Sequence, residues 1–354
     1  MKRLGSIVLL VVTLAGASAR ADWQTDFNKA QDALDDKDYT TAENLALAAL
    51  NAVDRLPEDH DDKLRIKMLL GRIYQDTRQW AAAAPLYEQV IDAYKKKGMD
   101  GSPEAGNAFN LVGIVYVKMK ELDKAEQAFQ ASLQIKRKKY KQNVASIAIV
   151  LSNLGELYRQ QKKWKEAEEL HKQAINDKEN ELGPEHPDLV TSLNNLAIVY
   201  RESGRVDEAL PLLERACDLG KKASADNPDE RMNYATALHN LAEWYAVKKQ
   251  TAKAEATYKE ALALRRAALG DEHPHVAETL MNYANLLAST DRGAEALPMY
   301  DEAITIRRNE FGRADSRVVK AMQNKLMALQ RMKKTAEAKQ LEDEIKALQQ
   351  PAKP

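Results

Sequence analysis

Cysteine is nearly missing from these 354 residues, and Cys217 is the one thiol. An intramolecular disulfide is therefore excluded, and so is a cysteine pair for metal or redox chemistry. Cys217 falls within a helical pattern, where a buried, inert thiol is expected. Glycine (14) and aromatic residues (6%) are also scarce, while Ala, Leu, Glu, Lys and Gln are common, a composition that favours helix. Charge of one sign is lacking too: 53 basic and 53 acidic residues cancel. That balance argues against nucleic acid as a partner. With 30% charged residues the chain is too polar for a membrane protein, and with 44% apolar residues it can build a large core.

Long apolar runs are absent except near the start. Lys2 and Arg3 precede the apolar stretch 7–15, followed by Ala19-Arg20-Ala21. This is the order of a secretory signal, and the run is too short for a comfortable membrane-spanning helix. No cysteine follows it to carry a lipoprotein anchor. The expectation is a signal peptide over 1–21, with an uncleaved signal anchor as the alternative, and export to the periplasm or the extracellular space. After cleavage no stable membrane insertion is expected. Cleavage after Ala21 removes three bases and no acid, so the net charge moves from 0 to −3.

The remainder repeats itself. Aligning "NLGELY" with "NLAIVY" on the internal small residue gives Ala30, Gly71, Gly113, Gly155, Ala197, Ala242 and Ala284, with Leu326 in the last register. The spacing is 42 residues apart from one interval of 41 and one of 45. Twelve residues beyond each stands an alanine, from Ala42 to Ala338, in all eight registers. Three residues beyond stands Tyr74, Tyr116, Tyr158, Tyr200 or Tyr245, then Leu287 and Leu329. Apolar residues recur three and four apart within each half-repeat, which predicts two helices per unit. Close helix crossings need small residues, and larger side chains fill the space one turn on. The expected fold is all-α: a right-handed α-solenoid of eight helix-turn-helix repeats over 22–348, with a disordered tail over 349–354. The 45-residue interval predicts a longer corner at 221–231.

The small residue, tyrosine, alanine and later small residue (Ala174, Ala216, Ala261, Ala303) resemble the tetratricopeptide repeat. The 42-residue period and the string "HP…LNNLA…Y…G…EA" resemble its long-helix form in kinesin light chains. Those proteins are cytosolic, and with a signal sequence present motor transport is not implied. Unit one lacks the tyrosine and unit eight has Leu326 at the small position, as capping units of a stack often deviate.

Against this frame the histidines act as punctuation. Glu185-His186 and Glu272-His273 stand between a glycine (Gly183, Gly270) and a proline (Pro187, Pro274). A left-handed glycine ends one helix, and proline suits the first turn of the next. Four helix layers at ~8–10 Å spacing keep the two histidines too far apart for one ion. No metal or other cofactor is expected. No glycine-rich phosphate loop or Ser-His-Asp order is present, and no catalytic residue is assigned.

The resemblance implies that the first helix of each unit lines an inner groove. Two residues before the small position stand Asn153, Asn195, Asn240, Asn282 and Asn324. Asparagine is a mediocre helix former, so a repeated register needs a reason. One reason is a ladder of amides that pairs with the backbone of an extended peptide. The other is bonding to the neighbouring unit's backbone, which fixes the pitch. Flanking groove positions implied by the resemblance are Arg72, Asn110, Glu156, Arg159, Arg201, Glu243 and His239, a polar set that suits a peptide carrying acidic groups.

Residues 22–62 hold twelve acids and three bases, net −9, whereas residues 113–165 hold twelve bases and four acids, net +8. The run "KRKKYK" at 136–141 lies toward a helix C-terminus, where cations favour the macrodipole. It is also a candidate contact for an anionic partner. The expected function is an exported scaffold holding a protein or an extended peptide in its groove. The alternative is a structural piece of an envelope assembly that contacts partners through its convex face and edges. Oligomeric state is left open.

Overall fold

The structure, a computed structural model, describes residues 23–139, 144–227 and 230–349. The expected signal at 1–21, residues 350–354 of the tail, Tyr140 and Lys141 of the basic run, and positions 228–229 of the expected corner lie outside the described residues.

Sixteen helices and no strand are found among the described residues. They are α1 (23–35), α2 (Tyr39–Ala52), α3 (Asp61–Asp76), α4 (Trp80–Lys96), α5 (Pro103–Lys118), α6 (Leu122–Lys139), α7 (Val144–Gln160) and α8 (Trp164–Leu182), then α9 (Leu189–Glu202), α10 (Val206–Asp226), α11 (Arg231–Val247), α12 (Thr251–Leu269), α13 (Pro274–Ser289), α14 (Gly293–Phe311), α15 (Ser316–Arg331) and α16 (Thr335–Gln349). The small positions all fall on odd-numbered helices and the register alanines on even-numbered ones, so each repeat is one helical hairpin. The chain forms two compact units, residues 1–174 and 175–354, divided within α8.

In the first unit α2 packs on α3, and α4 lies against both α3 and α5. Likewise α6 lies against α5 and α7. In the second unit α10, α12 and α14 each lie against the odd helix before and the odd helix after. Odd helices also touch one another: α5 meets α7 in the first unit, and α9, α11, α13 and α15 meet in succession in the second. Elements on the inside of a curved stack lie closest together, so the odd helices form the inner layer.

Close packing sets the register. Seven of the eight register alanines, Ala42 through Ala296, are fully buried. The space over the small residue is filled by the side chain sixteen residues on, from the even helix. In the first unit this is Tyr87 over Gly71, Phe129 over Gly113 and His171 over Gly155. A Cβ added to those glycines would stand 2.6–2.7 Å from the ring atoms. The register tyrosines instead lie at the seam between repeats, where Tyr158 donates to Glu126 at 2.8 Å and Tyr116 to Glu88 at 2.5 Å.

Each hairpin turns on one residue with positive φ, seven residues past the small position. These are Lys37, Arg78, Lys120, Lys162, Lys249, Asp291 and Lys333 (φ 58–64°), with Gly204 in the fifth repeat. The next N–H closes back to a carbonyl five residues earlier, as from Gln79 to Tyr74 at 2.7 Å and from Arg205 to Tyr200 at 2.8 Å. The turn thereby satisfies carbonyls that the helix end leaves bare, and a cation there complements the dipole. Between hairpins Gly183, Gly270 and Gly312 take φ of 82–90°. The accompanying ψ of 166° at Gly270 and 157° at Gly312 is not the expected left-handed helical value. It belongs to a region essentially restricted to glycine.

Two further expectations are corrected. The 45-residue interval makes no longer corner: it lengthens α10 to 21 residues and starts α11 one residue earlier, at Arg231. Pro274 opens α13 as expected, but Pro187 precedes α9 by two residues.

Candidate peptide-binding groove

The asparagine register lies on the inner helices, and four of its amides are bonded between repeats. In the first unit Asn153 on α7 donates its Nδ2 to Oδ1 of Asn110 on α5 at 2.9 Å. In the second unit Asn240 on α11 donates to Asn194 on α9 at 3.2 Å. Asn282 on α13 donates to Glu243 Oε1 on α11 at 2.7 Å and lies 3.3 Å from His239 Nε2. Asn324 on α15 donates to Asn285 Oδ1 on α13 at 3.3 Å. The acceptor always stands three before or one after the small residue of the preceding repeat, and positions four apart share a helix face. The expected inter-repeat bond thus exists, with a side chain and not the backbone as its acceptor. Asn195 on α9 is half-buried.

The three arginines differ. Arg159 closes a two-pronged contact with Glu156 on its own helix, at 2.7 and 2.6 Å. Burial alone would raise the Glu156 carboxyl, but hydrogen bonds from Arg159 and Gln160 hold it below the usual carboxylate range. Arg201 on α9 forms an ion pair with Glu243 on α11. Arg72 on α3 is exposed. Two guanidinium groups are therefore already matched by carboxylates of this chain, which argues against a basic clamp for an acidic ligand.

His239 is at the centre of a buried polar cluster in the second unit. It is 3% exposed, with Nδ1 3.4 Å from Thr279 Oγ1. Burial, then the nearby Arg265 cation, lowers its pKa to about 3, so the ring is neutral. Arg265, 2% exposed, donates to the His275 carbonyl and to Thr279 Oγ1, each at 2.8 Å, and to Glu278 at 3.2 Å. Burial would raise Glu278, yet its bond with His275 and the surrounding positive charge bring it to about 2. Beside this cluster the groove opens into a cavity of about 310 Å³ lined by Glu243, Val247, Asn282, Asn285 and Leu286. Val247 is 55% exposed, so an apolar floor lies next to amide and carboxylate edges.

Sequence reasoning missed a second polar register. Twenty-three residues past the small position stand Lys136, Lys178, Arg265 and Arg307. Lys178 Nζ donates to the Asp188 carbonyl at 2.7 Å and Ser192 Oγ at 3.1 Å, and Arg307 donates to the Arg317 carbonyl at 3.2 Å. Lys136 is 6% exposed and donates to Asn107 Oδ1 at 2.9 Å and to Ser146. These cations pin the end of one even helix to the first turns of the next odd helix. The reading of 136–141 as an anion contact is therefore corrected at Lys136, which faces inward. Arg137 and Lys138 are exposed. Comparing position with position along the period would have found this register.

The histidines mark helix starts. His60, His186 and His273 each accept at Nδ1 from the backbone N–H two residues on, at 3.1–3.3 Å. No group of three or more His, Cys, Asp or Glu able to hold a metal occurs among the described residues. Cys217 is buried, and burial next to Asp218, Glu260 and Glu214 pushes its thiol up to about 12. Such a thiol is unreactive.

Hairpins built on buried alanines, with a polar inner face bonded from repeat to repeat, define a helical-repeat protein of the recognition class. The chain belongs to the tetratricopeptide repeat family, whose profile matches residues 20–96, 70–138, 104–177, 146–222 and 233–309. Among solved structures it is similar to apo RapI, with 16% identity, TM-score 0.63, and 81% of this chain and 98% of that one covered. It is also similar to a Rap protein complexed with competence and sporulation factor, at 12% identity and TM-score 0.55, with 93% of this chain and 97% of that one covered. BtubC (BKLC) from P. vanneervenii aligns at 20% identity and TM-score 0.54, over 67% of this chain and 92% of its own. These likenesses concern the fold. No curated protein matches the chain.

Proposed function

We propose that this chain is an exported scaffold that holds a partner protein, or an extended segment of one, along the face of its odd-numbered helices. The observation that carries the reading is the asparagine register on the inner helices. Each bond to the preceding repeat uses one amide donor, and an amide offers two donors and a carbonyl acceptor. An amide already fixed by its neighbour is pre-organised, so a ligand backbone meets it at lower entropic cost. The cavity beside Val247 and Leu286 supplies a place for an apolar ligand side chain. Similar folds have been solved with a Rap protein bound to competence and sporulation factor, and with a Rap conjugation gene regulator bound to the Phr* peptide. With Arg159 and Arg201 paired internally, recognition here depends on backbone and apolar contacts more than on ligand acids. Export rests on the order of residues 2–21.

A photo-crosslinking side chain at Val247 tests the groove in cells. It should capture a partner that the same group at exposed Lys221 does not. Capture at Lys221 alone would remove the groove from the account. The mass of the mature chain tests export: a protein retaining residues 1–21 in the cytosol would rule it out.

A further inference from the structure

In the first unit one seam between repeats is open where its counterparts are closed. A cavity of about 430 Å³ lies among α4, α5 and α6, with Ile91, Phe109 and Ile135 as its apolar lining. All three are only partly buried. The residues that take the place of Phe109 in later repeats are Leu151, Leu193, Leu238, Leu280 and Met322, each 0–5% exposed. Those that take the place of Ile91 are Leu133, Ile175, Cys217, Leu262 and Ile304, each 5–9% exposed. The periodic positions that elsewhere complete the core here face a cleft lined mainly by the even helices, away from the asparagine register.

The rim of this cleft is basic. Lys95 lines it from the end of α4 and Lys138 from the end of α6, with Asp100 in the loop between α4 and α5. Exposed Lys96 and Arg137 extend the positive surface past both ends of the cleft. The apolar volume suits one large side chain, whereas the charge extends over a longer surface. A lone small carboxylate would use only part of it.

We infer that this cleft docks an acidic partner segment, which inserts one bulky aliphatic or aromatic side chain against Ile91, Phe109 and Ile135 and sets its carboxylates on Lys95 and Lys138. The site is separate from the asparagine groove, so the two can be occupied independently. Anchor residues in pockets ringed by charge are the usual form of such contacts.

The test uses the full chain and a short fluorescein-labelled Glu/Asp peptide with one central leucine, read by anisotropy. Wild type should bind, and added salt should weaken the complex. Replacing the peptide leucine by alanine should weaken it about tenfold. The exposed double change Lys95→Glu with Lys138→Glu should weaken it by ~tenfold or more without altering thermal unfolding. Asn282→Ala, in the groove, should leave it unchanged. Several results would overturn the inference. They are no binding, equal binding of the alanine peptide, loss with Asn282→Ala in place of the lysine changes, lysine-dependent self-association without peptide, or lysine-dependent binding of anionic phospholipid vesicles in the absence of peptide binding. Success or failure here leaves the Val247 crosslinking result unaffected.

Discussion

After Ala30 in its first repeat, the first unit puts glycine at the small position, and the ring of Tyr87, Phe129 or His171 lies directly on it. The second unit puts Ala197, Ala242 and Ala284 there, before Leu326 in its last repeat, and each alanine shares a buried cluster with the residue sixteen on, Leu213, Tyr258 or Tyr300. The same hairpin is thus closed in two ways, with backbone against ring or with Cβ against a side chain. The buried histidines divide along the same line. His171, 1% exposed, fills an aromatic slot, and neither ring nitrogen has a hydrogen-bond partner among the described residues. His239 lies on the inner helix among Thr279, Asn282 and Glu243. One imidazole serves as a flat packing piece and the other as the hub of a polar network. Burial dominates in both, lowering His171 to about 4 and His239 to about 3.

Acid should produce the largest effect. A histidine whose folded pKa lies below its unfolded value contributes full stability above about pH 6.5 and loses it as pH falls toward the folded value. Glu156 and Arg159 face His171, whereas Arg265, Glu278, Arg201 and His275 face His239. Carboxylates held near 2, such as Glu58 and Glu255, begin to cost stability only below about 4.5. Between pH 6.5 and 4.5, denaturant unfolding should therefore show a loss on the order of 2 kcal/mol from each histidine. A flat profile in that window would remove the buried neutral rings from the account. Next in size, Gly113→Ala forces a methyl into the Phe129 ring and should cost about 2 kcal/mol. Ala242→Gly, made in parallel, should cost about 1 kcal/mol.

His171→Phe should raise stability by ~1 kcal/mol at neutral pH, because it removes two buried polar atoms that lack partners. It should also halve the acid loss, which separates the two histidines. A variant that keeps the full acid loss would move the titration to His239 or elsewhere. Asn282→Ala deletes the 2.7 Å bond to Glu243 and should cost about 1 kcal/mol by chemical denaturation. No effect there would mean that the amide register does not bind repeats together. The smallest change is expected at the turns. Lys249→Gly relieves a φ of 58° and should add about 0.5 kcal/mol, whereas Gly204→Lys should subtract a similar amount.

The hairpin count, the register alanines and the glycines between hairpins were legible because period and steric necessity leave few alternatives at those positions. The inner position of the asparagines was implied by the family resemblance and not by their spacing. Their acceptors did not, since an amide reaches 3 Å in several directions and the neighbour's phase decides among them. Lys136 shows the limit most clearly. In a run of four cations nothing local distinguishes it from Arg137, yet one faces Asn107 and Ser146 while the other is exposed. His171 shows the reverse error: a polar residue type concealed an aromatic packing role that Tyr87 and Phe129 reveal by position.

The sequence by itself determined the repeating hairpin, since small residues at a 42-residue spacing admit close crossings only in that register. Tertiary structure alone decided which polar groups bond across repeats and which apolar seam remains uncovered. Those outcomes depend on distances of a few tenths of an ångström between helices that are far apart in the chain, and no local pattern encodes them.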